Sequence, residues 1–134
     1  MLQLSLLTDG TFNPQTGEMG CSFAVFYGTP DEGLLLHHTS RAAVPWFSIE
    51  EGPSSTTAEM AALVSGLIWM RSEGMLKGFP VTVFADCESV LQALRGDGSK
   101  ARGIRNILQI ICKTDRLYAA HYPSERMKKS IIGH

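Results

Sequence analysis

Cysteine is scarce in this chain and badly placed for cross-linking. Cys21, Cys87 and Cys112 are odd in number and form no Cys-x-x-Cys pair. That argues against a disulfide framework and a zinc site. It favours a reducing compartment, with the cytoplasm as the expected location and all three thiols as small buried hydrophobes. Long apolar runs are missing too. No stretch approaches membrane-spanning length, and Met1 to Leu7 is too short and lacks the positive start of a secretory leader, so no membrane partner is expected. No internal repeat or low-complexity segment breaks the 134 residues, which suit one domain with one core.

The formal net charge of −1 conceals a division. Residues 1–94 carry three bases (Arg41, Arg71, Lys77) against ten acids, whereas residues 95–129 carry nine bases against three acids. An acidic half joined to a basic half suits a protein that keeps metal-binding carboxylates beside a phosphate-binding surface. The plainer reading, in which Lys and Arg only solvate the outer face of a helix, stands beside it.

Apolar periodicity and turn residues predict β-β-β-α-β-α-α-β. Leu2 to Leu7 reads as a buried strand ending at a Thr8-Asp9-Gly10 turn. Cys21 to Tyr27 and Leu34 to Val44 complete an antiparallel meander, with Gly28 to Gly33 as a tight connection. A helix is expected from about Thr57 to Ser72, with Thr56 as N-cap and Gly74 as stop. Phe79 to Ala85 reads as a strand, and Asp86 caps a short helix through Leu94. Ala101 to about Ala120 reads as a longer helix, and Met127 to Ile132 as a last strand after Pro123. The expected fold is α/β: a mixed five-stranded sheet with flanking helices, in which the fourth strand returns beside the first. That topology lets Asp9 and Asp86 meet at neighbouring strand ends, with Glu59 brought in by the start of the first long helix.

Three carboxylates from separate elements suit magnesium, which takes hard oxygen ligands and keeps several waters. Two such ions about 4 Å apart can activate a water and stabilise the leaving oxygen in phosphodiester hydrolysis. Each carboxylate also has a local role open to it: Asp9-Gly10 as a turn, Thr56-Thr57-Ala58-Glu59 as a capping box, and Asp86 as an N-cap. The neighbours His37 and His38 face opposite sides of a strand and cannot easily chelate one metal, so they read as edge-strand residues. Trp46 and Phe47 read as core packing rather than base stacking.

Four segments resemble the ribonuclease H family, in order and across nearly the whole chain. Thr8-Asp9-Gly10-Thr11 with Asn13-Pro14 and Gly20 is similar to its first strand and turn. Ser55 to Leu63 is similar to its acidic helix start, and Val83 to Leu91 to its second aspartate motif, with Cys87 where serine is common. Ile131-Ile132-Gly133-His134 is similar to its glycine-histidine segment. The resemblance implies a ribonuclease H-like fold and endonucleolytic cutting of RNA in RNA–DNA hybrids by a two-metal mechanism, with Mg2+ as cofactor and Mn2+ as the alternative. Asp9 would bridge both ions, while Glu59 and Asp86 would hold the ion beside the leaving oxygen. His134 would assist near the scissile phosphate and Asn13 would help recognise sugar and phosphate. Lys100, Arg102 and Arg105 would contact the backbone without reading its sequence.

One departure is expected to matter. The family's fourth carboxylate and closing helix lie beyond the position of His134 and are absent from this sequence. Weakened two-metal binding is one expected consequence. The missing helix should also expose apolar surface on the sheet or leave the last strand frayed, giving a disordered tail, a homodimer through the uncapped C-terminal region or reduced stability. The competing function is a catalytically impaired nucleic-acid-binding or assembly module. A proofreading-type exonuclease ranks lower, because Thr11 stands where such enzymes usually carry a second acid.

Overall fold

Five strands form one sheet in the order β3-β2-β1-β4-β5. The structure is a computed structural model that describes residues 3–43, 54–95 and 117–127. The strands are β1 (Leu4–Phe12), β2 (Met19–Tyr27), β3 (Leu34–Ala42), β4 (Val81–Ala85) and β5 (Leu117–His121); the helices are α1 (Ser55–Ser72), α2 (Glu88–Arg95) and the single turn α3 (Ser124–Met127). The first three strands are an antiparallel meander, while β4 joins β1 and β5 joins β4 in parallel. The mixed sheet expected from the sequence is therefore present.

Its centre is β1, and the composition of that strand shows why. Leu4 and Leu6 pack with Phe23, Val25, Val81 and Val83 against Met60, Leu63, Val64, Leu67 and Met70 of α1. Leu7 instead packs with Ala24, Phe26 and Tyr122. A strand buried on both faces needs a nearly continuous apolar run rather than an alternating one. Helix α1 lies close on this strand because Gly66 has no side chain: a Cβ there would stand 2.6 Å from Leu6 Cδ1. Gly74, with φ of +73°, lies just past the end of α1 in the left-handed conformation that closes many helices.

Several boundaries differ from expectation. Thr8-Asp9-Gly10 is not a turn, since β1 stays paired with β2 through Phe12↔Met19 and the chain reverses only after Asn13. The cap of α1 is Ser54, whose hydroxyl accepts from the Thr57 N–H at 3.0 Å, so Thr56 lies inside the helix. Asp86 does not cap α2, because the Val90 and Leu91 N–H groups are received by the Cys87 carbonyl.

The largest correction concerns the C-terminal part. Leu117 to Ala120, expected at the end of a helix, belong to β5 and pair with Val81 to Phe84. Met127, expected to open a strand, lies in α3. The rest of the expected long helix and last strand, with Trp46, Phe47 and Cys112, lies outside the described residues. The sheet face opposite α1 is not bare either: Leu7 and Ala24 are 0% exposed and Phe26 is 5% exposed. On the same face, Tyr118 of β5, paired with Thr82, is 55% exposed.

Candidate active site

The C-terminal ends of β1 and β4 lie side by side, in register at Leu7↔Phe84. Two residues further along each strand stand Asp9 and Asp86. Glu59, in the second turn of α1, arrives from above the sheet. This approach depends on Gly10. A Cβ on Gly10 would stand 2.4 Å from both the Ala58 carbonyl carbon and the Glu59 nitrogen, so the α1 backbone rests directly on β1. The Asp-Gly pair thus works by close approach of two backbones, not by a turn.

The half-buried carboxyl groups of Asp9 and Glu59 are hydrogen-bonded to one another, and the Gly10 backbone hydrogen-bonds to both. Burial raises the Asp9 pKa above the ordinary aspartate range, and the charge of Asp86 adds to that effect. Burial pushes Glu59 further, to about 8, helped by the charges of Asp9 and Asp86. Two carboxylates forced together in a desolvated site share a proton unless a cation takes its place. The buried Glu59 Oε2 has no hydrogen-bond partner.

Asp86 is the more exposed member, and its Oδ1 accepts from His121 Nε2 at 3.1 Å. His121 is the last residue of β5 and pairs with Ala85, immediately before Asp86. The sequence reading missed it, because Leu117 to Ala120 looked like a helix end.

Among the described residues, no group of three histidine, cysteine, aspartate or glutamate side chains stands ready to hold a metal ion. The arrangement is instead a carboxyl pair, Asp9 with Glu59, and a neighbour whose charge both feel while its carboxylate is held by His121. The donor chemistry still fits magnesium: hard oxygens, one of them orphaned, on elements that converge.

Asn13 lies at the far end of β1 and builds the hairpin. Its N–H donates to the Glu18 carbonyl at 2.9 Å, and its Oδ1 receives the Gln15 N–H at 2.9 Å. Its amide oxygen is thus committed to the turn. Lys100, Arg102, Arg105 and His134 lie outside the described residues. His37 and His38 sit on edge strand β3 as expected, and His37 stacks on Trp69 with ring centroids 4.0 Å apart.

Solved structures with this architecture include LC11-RNase H1, isolated from compost by a metagenomic approach, in complex with an RNA/DNA hybrid. It superposes with a TM-score of 0.70 at 22% identity, over 95% of this chain and 90% of that one. The fold is the ribonuclease H fold. RNase H1 from the archaeon Halobacterium salinarum matches with a TM-score of 0.68 at 18% identity, over 96% of this chain and 91% of that one. The N-terminal RNase H domain of a Mycobacterium tuberculosis protein gives 0.69 and 16%, over 97% and 88%. No protein-family model and no curated protein matches the sequence. Among the described residues, no helix is long and apolar enough to cross a membrane.

Proposed function

We propose that the chain is a divalent-metal-dependent nuclease of the ribonuclease H type, cutting RNA within RNA–DNA hybrids. The observation that carries this reading is the meeting of Asp9 and Glu59 beside Asp86, at the ends of β1 and β4, within a ribonuclease H fold. The hybrid bound to one structural neighbour supports the substrate class. Asp9, Glu59 and Asp86 would hold Mg2+, with Mn2+ as a substitute. Such ions would supply Lewis acidity at the phosphate and would lower the pKa of a bound water that attacks it.

The chain's own residues do the rest. Gly10 brings α1 down onto β1 so that Glu59 reaches Asp9. Glu59 and Asp9, both held above the ordinary carboxylate range, would hold such a cation as ionised carboxylates in place of the proton they otherwise keep. Lys100, Arg102 and Arg105 would hold the hybrid by its backbone. Single-domain organisation and a cytoplasmic setting belong to the same reading, supported by the free thiols of Cys21 and Cys87.

The test is cleavage of an end-labelled RNA–DNA hybrid in magnesium by the wild-type chain and by Asp9→Asn. Magnesium-dependent cutting should fall by at least two orders of magnitude in the variant; equal rates would remove Asp9 from the mechanism. A second reading, a hybrid-binding or assembly module without cleavage, is favoured by the lack of three ligands in position among the described residues. Hybrid binding that magnesium never converts into cutting selects it.

A further inference from the structure

We infer that His121 is a positioning residue: its hydrogen bond to Asp86 sets the direction in which that carboxylate presents its oxygens to a divalent cation. The inference deepens the proposed function and rests on it. An aspartate just past a strand end has two freely rotating torsions and no fixed aim. Elsewhere such a residue is commonly tied down as a helix cap, but Asp86 is not, because Cys87 provides the carbonyl that opens α2. Its restraint comes instead from His121 Nε2, 3.1 Å from Oδ1. An ionised carboxylate can only accept, so Nε2 carries the proton and donates. Oδ2 and a lone pair of Oδ1 remain for a cation.

The histidine is itself well seated. β5 runs parallel to β4 up to Ala85↔His121, and the Tyr122 N–H continues the ladder by donating to the Ala85 carbonyl at 2.9 Å. Tyr122 is 4% exposed and donates its hydroxyl to Asp31 Oδ1 at 3.0 Å. Arg126 reaches the other oxygen of Asp31 and lies over the Tyr122 ring, 4.9 Å from its centroid. The residue following His121 is therefore locked to the β2–β3 connection, and the imidazole projects from a fixed backbone. Hydrogen bonds to ligating carboxylates tune metal sites, and losing one typically costs 10- to 100-fold in affinity or activity.

The experiment titrates Mn2+ into wild-type protein, His121→Ala, His121→Gln and Asp86→Asn, following free Mn2+ by electron paramagnetic resonance, with thermal melting of each metal-free variant alongside. The His121 side chain is 54% exposed, so its variants should melt close to wild type. The inference expects Mn2+ affinity about tenfold weaker or worse in His121→Ala, partial recovery in His121→Gln, whose amide can donate again, and the greatest loss in Asp86→Asn. In cleavage assays, half-saturating magnesium should rise in His121→Ala while KM for the hybrid stays put. Wild-type affinity in His121→Ala, beside a clear loss in Asp86→Asn, overturns the inference and leaves the proposed function standing. Wild-type protein that binds no Mn2+, or Asp86→Asn binding as wild type, overturns both.

Discussion

Glu59 stands where burial, Asp9 and Asp86 all oppose its ionisation, and its pKa is pushed from 4.5 to about 8. Between those values the folded chain keeps a proton that the unfolded chain has released. Stability therefore falls as pH rises across that window, by up to about 1.4 kcal/mol per pH unit. The raised Asp9 acts in the same direction. Melting of metal-free protein between pH 5 and pH 8 should show the decline, and Glu59→Gln, which keeps the hydrogen bonding but cannot ionise, should flatten most of it. Magnesium should raise the melting temperature more at pH 8 than at pH 5.5, because it competes with the proton for the same oxygens. A wild-type slope that survives in Glu59→Gln would mean the pH dependence arises elsewhere. The three carboxylates could be picked out from the sequence because each sits in a short motif at a predicted element end. The roles of Gly10 and His121 could not. Close backbone approach and a bond spanning 35 residues are created by packing and leave no local pattern.

At the level of elements, β1 to β3, α1, β4 and α2 are all present near their expected places, since each carries its own apolar period and turn residues. β5 was hidden. Leu117, Ala119 and Ala120 are good helix formers, and what makes them a strand is pairing with β4, 36 residues earlier in the chain. Helix α1 offers a sharper contest between local and tertiary preference. Gly66→Ala gains helix propensity worth about 1 kcal/mol. The new Cβ, however, meets the methyl groups of Leu6 at 2.6 and 3.0 Å, and Leu6 is 0% exposed, so it must shift within the core to make room. Overpacking of this kind costs about 1–3 kcal/mol, so the variant should unfold at lower denaturant with an unchanged m-value. A stabilised Gly66→Ala would show that α1 can lift from β1 freely, and the tight seating argued for Glu59 would then lose its support.

Across the whole molecule, a net charge of −1 is a poor start for gripping a polyanion. The carboxylates at the site repel a phosphate unless a cation stands between them, while nine bases in residues 95–129 attract it. Salt and magnesium should thus act in opposite senses. On the proposed function, monovalent salt should weaken binding through the basic segment, since each lysine or arginine on a phosphate releases condensed counterions. Magnesium at constant ionic strength should strengthen it by bridging Asp9, Glu59 and Asp86 to the backbone. Fluorescence anisotropy with a nuclease-resistant hybrid separates the two. Replacing Lys100, Arg102 and Arg105 together by alanine should reduce the slope of log K against log salt by roughly two to three, at about 0.7–0.9 per lost phosphate contact, and leave the magnesium enhancement intact. Asp9→Asn should do the reverse, keeping the salt slope and losing the enhancement, with slightly tighter binding in the absence of divalent ions. If the triple replacement leaves the slope unchanged, Lys100, Arg102 and Arg105 make no phosphate contacts.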